Sequence, residues 1–476
     1  MTVAPAEDFS TRSRQALADP ALRAALGNIQ THLVAGRNQA VADVPEFEAL
    51  RDAASSIKEH VLRNLDVYLE LFAERVHAAG GRVHWASTAG QANEIIASLC
   101  RAAHAQLVVK GKSMVSEEIQ LDAHLEAAGM RVVETDLGEY IIQLRKDRPS
   151  HIVAPAVHLT RNDYAASFRT THSGLDPARN LEEPAALLAE ARAVLREDFT
   201  RADVGITGAN FLVAETGTAV LVTNEGNADL SMTLPRVHIV LASIEKIAPT
   251  LGDALTLTRV LARSATGQAC TAYTTLVTGA ARTGDLDGPS EFHVVLLDNG
   301  RSKLLQSKQR DMLKCIRCGA CMNHCPVYGA IGGHAYGWVY PGPMGAVLSP
   351  TLDGRQRHRD LPNASTFCGR CDSVCPVKIP LTGLMRQLRE EQVTQRLAPR
   401  VPSALLSIWG FVALRPSLYR LCTRAMGLAL RYLARRGRIV HVPFANGWST
   451  YRDLHAPEGR TFLQQWRASA RGRGKA

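Results

Sequence analysis

The sequence predicts a central α/β domain with a helical segment before it, a small loop-rich module after it and a basic helical tail. Three observations carry that reading. Short β-rich runs alternate with amphipathic stretches up to about residue 303, seven of ten cysteines fall between residues 315 and 375, and the positive charge gathers at the C-terminal end. A chain of 476 residues is too long for one ordinary core, and 46% hydrophobic with 21% charged residues is a globular composition.

Residues 10–80 place apolar side chains at three- and four-residue spacing, which predicts helices. After Gly80-Gly81 the period changes. RVHWA, QLVVK, RVVET and HIVAP read as strands, and GQANEIIASLCRAAH and SEEIQLDAHLEAAG as the helices between them. This is the pattern of βαβ units and a parallel or mixed sheet. ADVGITGANFLVAETGTAVLV predicts strands joined by Gly-rich turns. VHIVLA is a further strand, LGDALTLTRVLARSA a helix, and EFHVVLLDNGRSK closes the domain. The divisions expected are 1–80 (helical), 81–303 (α/β), 304–385 (Cys-, Gly- and Pro-rich) and 386–476 (helical and Arg-rich).

The net charge of +10 belongs to the tail: residues 386–476 hold 17 Lys/Arg and 4 Asp/Glu. A basic tail suits a solvated surface, a partner or an anionic membrane. Without aromatic–basic interleaving or a recognition motif, nucleic acid is not expected. The N-terminus has no secretory pattern, and the longest apolar run, Ala404–Leu414, is about half a membrane span. The expected location is the cytoplasm, with peripheral membrane contact allowed. Thiols stay reduced there, so the cysteines are free, catalytic or metal-bound.

The first cysteine run is C-x₂-C-x₂-C-x₃-C-P: Cys315, Cys318, Cys321, Cys325 and Pro326. The second is C-x₂-C-x₃-C-P: Cys368, Cys371, Cys375 and Pro376. The first matches bacterial ferredoxins, in which three closely spaced thiolates reach one cubane and the fourth serves the other cluster. On that logic Cys315, Cys318, Cys321 and Cys375 hold one [4Fe–4S] cluster, and Cys325, Cys368 and Cys371 the other. Ser365 stands where the second run should begin. Three readings follow, in order: Ser365 oxygen or solvent completes the second cluster, a distant residue or partner does, or the cluster is [3Fe–4S]. Paired zinc knuckles lack the third x₂ thiolate and the x₃-C-P ending. Cys100, Cys270 and Cys422, in apolar contexts, read as buried thiols. In the linker, Gly332-Gly333-His334 and Trp338 either pack near a cluster or only shape a turn-rich loop.

In the α/β region, Lys110-Gly111-Lys112-Ser113 follows a predicted strand and suits an anion at a helix start. Ser116-Glu117-Glu118 reads equally as a cap with acidic first-turn residues, the favoured reading. Glu134, Asp136 and Glu139, with Gly208, Asn210, Glu215, Gly217, Glu225, Gly226 and Asn227, cluster at turns as pocket residues do. No G-x-G-x-x-G appears, so no flavin or nicotinamide is placed.

GKSMVSEEI, VVETDLGEYIIQL, SHIVAPAVH, ITGANFLVAETGTAVLVTNEGN, EFHVVLLDNGRS, CIRCGACMNHCPVYGAIGGHAYGWVYPGPMGAVLSP and CGRCDSVCPVKIPL together resemble the lactate utilization protein B family, from about residue 50 onward. The resemblance implies a LUD domain, similar in fold to sugar-phosphate isomerases and CoA-transferases, then a ferredoxin-type two-cluster domain. It implies cluster ligation by Cys315, Cys318, Cys321, Cys325, Cys368, Cys371 and Cys375. It also implies work with partner proteins A and C in oxidising L-lactate to pyruvate. The function expected is electron transfer from lactate toward a quinone or soluble carrier, with no catalytic residue assigned. The alternatives are an iron–sulfur subunit of another 2-hydroxy-acid oxidase, such as one for glycolate, or a redox-sensing metabolite-binding module.

Overall fold

The computed structural model describes residues 8–172, 174–176, 178–397, 400–434, 436–439 and 453–473. The chain divides into two compact units, Met1–Glu391 and Gln392–Ala476.

Among the described residues the first unit has ten strands: β1 (Arg82–Ala86), β2 (Leu107–Lys110), β3 (Arg131–Glu134), β4 (Val204–Thr207), β5 (Phe211–Val213), β6 (Thr218–Thr223), β7 (Val237–Ser243), β8 (Ile247–Ala248), β9 (Tyr273–Val277) and β10 (Glu291–Leu297). Six form a wholly parallel sheet in the order β1-β10-β7-β4-β2-β3. The chain winds outward from β2 to β3, then returns to place β4 on the other side of β2. Sheets with helices on both faces bury both sides of their strands, and every residue of β2, β4 and β7 is buried. Gly205 in β4 is required by a close approach: a Cβ there would meet the Ser231 carbonyl oxygen at 1.7 Å.

The other four strands form a second sheet, β8-β5-β6-β9. Its residues alternate between two cores, as the two-residue period of a strand demands. Leu212, Ala219 and Leu221 pack toward Val240, Phe292 and Val294 of the large sheet. Phe211, Val213 and Val220 join the core that holds Met312, Ile316, Cys318 and Cys321. The small sheet is therefore the floor on which the cysteine-rich module sits.

Several expectations are corrected. Residues 151–155 form no strand, because the His151 ring takes the backbone N–H groups of Val153 and Ala154 (both 3.0 Å) and Pro155 has none to offer. The cap of helix Met114–Ile119 is Ser113, whose hydroxyl accepts from the Ser116 N–H, so Ser116 lies inside the helix. Of the three isolated cysteines only Cys100 is buried; Cys270 is exposed and Cys422 half-buried. Cys270 lies in a loop and Cys422 on helix Pro416–Leu433, which buries no residue.

The second unit holds helices Arg400–Ala413 and Pro416–Leu433, a two-strand ladder pairing Arg438–Ile439 with Leu454–His455, and helix Phe462–Arg473. Ile408, Trp409, Phe411, Leu421 and Tyr432 are exposed on it. Among the described residues, no helix is long and apolar enough to cross a membrane.

Candidate functional site

The two cysteine runs are repeats in backbone geometry as well as in sequence. Arg317 and Phe367, each preceding a cysteine, both have positive φ (61° and 55°). So do Gly319 (77°) and Gly369 (74°), each following it and opening a short helix. The left-handed pair curls the chain so that neighbouring thiols converge, a conformation that glycine adopts without penalty. In this register Cys318 matches Cys368, Cys321 matches Cys371 and Cys325 matches Cys375. Ser365 falls opposite Cys315.

Five of the seven cysteines are buried, Cys315 is half-buried and Cys368 is exposed. Burial pushes the Cys318 and Cys321 thiols up, and the neighbouring Cys315 and Cys375 push them further. Burial also raises Cys375, to about 11, with Cys315 adding to it. In the other group, Cys325 is raised by burial and by Cys368, and Cys371 reaches about 12 through burial, Asp372 and Cys325. Cys368 is lowered by hydrogen bonds from Thr366 and the Arg370 N–H. Thiols of the two runs thus interleave: Cys375 acts on Cys318 and Cys321, Cys371 also acts on Cys321, and Cys325 lies beside Cys368 and Cys371. Soft thiolate sets suit iron–sulfur clusters or zinc, and the crossing is that of two-cluster ferredoxins. The Ile379 N–H donates to Cys375 Sγ at 3.4 Å, a contact of the kind that stabilises ligated sulfur. The Ser365 hydroxyl accepts from the Phe367 N–H at 3.1 Å.

Residues outside the motif hold these loops. Buried Arg51 donates twice to the Cys375 carbonyl (2.7 and 3.0 Å), and Arg37 donates to that of Val374 (3.0 Å). Both come from the N-terminal helices and carry no sequence signal, since arginines on amphipathic helices are usually solvated. His151 Nε2 contacts Asn323 Oδ1 at 2.8 Å, between Cys321 and Cys325. Because Nδ1 accepts two N–H groups, Nε2 carries the proton, and burial lowers the imidazole pKa to about 4. The linker residues named above dock on the α/β domain or on one another. Gly333 lies where a Cβ would meet the Ser150 carbonyl oxygen at 1.8 Å, His334 reaches the Arg148 carbonyl (2.7 Å), and Trp338 packs edge-on against Tyr340.

A buried ion network joins the α/β domain to the first cysteine loop. Arg301 pairs with both Glu118 oxygens (2.9 and 2.6 Å) and with Glu245 (2.9 Å). Tyr340 donates to Glu118 (2.6 Å), while Arg317 reaches Glu245 (3.3 Å) and lies over the Tyr340 ring. Burial pushes the Glu118 carboxyl up, but Arg301, Tyr340 and Asn299 hold it below its ordinary value. Lys58 donates to the Glu245 carbonyl. Burial lowers Lys58 and Lys246 to about 8, so both are charged at neutral pH. Four cations therefore face two carboxylates near Cys315. That excess suits a negatively charged cluster–thiolate unit, whose potential depends on local charge.

Lys110 is not available to an anion: it is fully buried and engaged by Glu134, Glu117 and Asp122. Glu215 accepts from the Leu251 N–H. Lys112, Ser113, Asp136, Asn210, Glu225 and Asn227 come together around one cavity of about 350 Å³, together with Lys246 and Arg317. Burial and Asp136 raise Glu225 to about 7. The missed members, Lys246 and Arg317, sit beside plain strand and cysteine text that gave no hint of a pocket.

Residues 69–297 match the LUD domain and residues 311–379 the 4Fe–4S dicluster domain. Fold, cysteine geometry and these matches define an iron–sulfur protein that joins a LUD α/β domain to a dicluster module. Lactate utilization protein B of Shouchella clausii is 43% identical over 462 residues, covering 97% of this chain and 96% of that one. The Bacillus licheniformis protein of the same name is 42% identical, covering 96% and 95%. The uncharacterized electron transport protein YkgF of Escherichia coli K12 is 43% identical, with the same coverage. The chain belongs to the lactate utilization protein B family.

Proposed function

We propose that this protein is the iron–sulfur electron-transfer subunit of a system that oxidises L-lactate to pyruvate. The observation that carries this reading is the interleaving of seven cysteines from two repeated runs in a chain of this family. Cys315, Cys318, Cys321 and Cys375 hold one [4Fe–4S] cluster. Cys325, Cys368 and Cys371 hold the second, with the eighth position at Ser365 filled by its oxygen or by solvent. When bound, such clusters supply one-electron redox chemistry. The chain's own contribution is to bury the first group, clamp the Cys375 backbone through Arg37 and Arg51, and set positive charge beside Cys315. Lactate utilization proteins A and C are the partners, and a quinone or soluble carrier is the acceptor. The basic C-terminal unit supplies a docking face for a partner or an anionic membrane surface.

The test is anaerobic copurification with proteins A and C, followed by addition of L-lactate. Cluster absorption should bleach with lactate, and the isolated chain should carry about eight irons with matching sulfide. Zinc in place of iron would refute the cofactor assignment. Clusters that stay oxidised with lactate and both partners present would refute the role.

A further inference from the structure

In open α/β sheets small molecules bind outside the carboxyl ends of the strands, where the winding reverses. Here the reversal lies between β2 and β4, and the 350 Å³ cavity sits there. Gly111, Lys112 and Ser113, just after β2, line one side of it, and Gly208 and Asn210, just after β4, line the other. Arg317, from between Cys315 and Cys318, and Lys246, from the turn after β7, also line it.

Several polar groups facing this space are already bonded, such as Lys112 to the Val153 carbonyl (2.6 Å) and the Asn227 amide to Thr135 (3.2 Å), but three keep spare donor capacity. Lys246 is only 8% exposed, and its ammonium has no hydrogen-bond or ion-pair partner among the described residues. Burial of the side chain and the nearby Arg317 draw its pKa down to about 8, against the pull of Glu245. The Asn210 side-chain oxygen accepts from the Val222 N–H (3.0 Å), whereas its amide nitrogen has no partner among the described residues. The nearly buried Arg317 reaches one carboxylate oxygen of Glu245 at 3.3 Å and Met344 Sδ at 3.6 Å and lies over the Tyr340 ring, which leaves guanidinium N–H groups for a further acceptor. An anion with further acceptor atoms would satisfy all three groups, and a carboxylate accepts bonds from both lysine and arginine. Of the acidic residues of the cavity, Glu225 is exposed and Asp136 half-buried, whereas Lys246 is buried.

We propose that this cavity binds a small organic acid anion of the 2-hydroxy or 2-oxo class, its carboxylate held by Lys246 and Arg317 and its second oxygen function by Asn210. The ligand would then lie against the loop that carries Cys315 and Cys318. The choice of acid rests on the lactate reading above; the anion site rests on the cavity alone.

The experiment is calorimetric titration of the anaerobically purified holoprotein with L-lactate, pyruvate, acetate and inorganic phosphate. Lactate or pyruvate should bind saturably and more tightly than acetate. Lys246→Gln should weaken that binding by about tenfold or more. Asn210→Asp, which sets a carboxylate against the ligand, is the second variant and should weaken it comparably. Absence of saturable binding by both acids, tighter binding of phosphate, or unchanged affinity in both variants would overturn the site. Lactate-driven cluster reduction with the partners separates the two claims. Reduction without binding removes this site and keeps the function, and binding without reduction does the reverse.

Discussion

Single residues decide the asymmetry of the cysteine module. Ser365 occupies the place that the repeat gives to Cys315, and its hydroxyl is spent on the Phe367 N–H. Ser365→Cys should keep about eight irons and complete a four-thiolate second cluster. Its electron paramagnetic resonance signal should shift while that of the first cluster stays put; an unchanged spectrum would place the eighth ligand elsewhere. Arg301 is the residue on which the buried network depends. Arg301→Met strands Glu118 and Glu245 in the interior, and breaking a buried pair costs about 3–5 kcal/mol. A large drop in melting temperature is expected, and a drop of only a degree or two would show the network to be dispensable. His151 sets a pH dependence. It stays neutral in the fold down to about pH 4, whereas the unfolded chain protonates its histidines near pH 6.5. Protons therefore favour the unfolded state as pH falls from about 6.5 to 4, at a cost on the order of 3 kcal/mol. Buried His238, with a pKa of about 3, adds in the same direction. Stability should decline over that window, and His151→Gln should make the decline shallower.

At the level of elements, the small sheet and the linker do the joining. The small sheet has one face in the core of the large sheet and the other under the cysteine loops. The linker is seated by Gly333 against Ser150, and by Tyr328, whose hydroxyl donates to the same Ser150 carbonyl (2.8 Å). Gly333→Ala must push the two backbones apart, and overpacking of this kind costs about 1–3 kcal/mol. Gly329→Ala, at a helical position with open space around it, is the control. The first variant should melt lower and lose iron faster in air, while the second should match the parent. Equal behaviour would show that the Gly333 contact yields without cost.

Across the whole molecule, all seven clustered cysteines, the ion network and the cavity lie in the unit ending at Glu391. A chain ending at residue 397 should therefore fold and keep its iron. It should lose lactate-driven reduction if the basic unit provides the docking face, as measured by cluster bleaching with proteins A and C. A truncated chain without iron would show that the second unit supports the clusters directly.

Much was legible without the structure, for local reasons. The alternation of strand and helix periods gave an α/β domain with a parallel or mixed sheet; the sheet is parallel, and every residue of β2, β4 and β7 is buried. Cysteine spacing gave the iron–sulfur module, because a C-x₂-C-x₂-C-x₃-C-P loop presents closely spaced thiols to a cubane. What could not be read were contacts between residues distant in sequence. His151 looked like part of a strand until its ring was seen holding two backbone N–H groups. Arg51 looked like a solvated helix position until it was seen on the Cys375 carbonyl. Lys110 and Lys246 are alike as letters, yet one is saturated by three carboxylates and the other is buried facing a cavity. The sequence by itself determined the family, through its motifs, and the two cysteine runs of the dicluster module. Only the tertiary structure decided that the first run lies beside a polar cavity, because packing on the small sheet brings Arg317 against a strand end that no local pattern records.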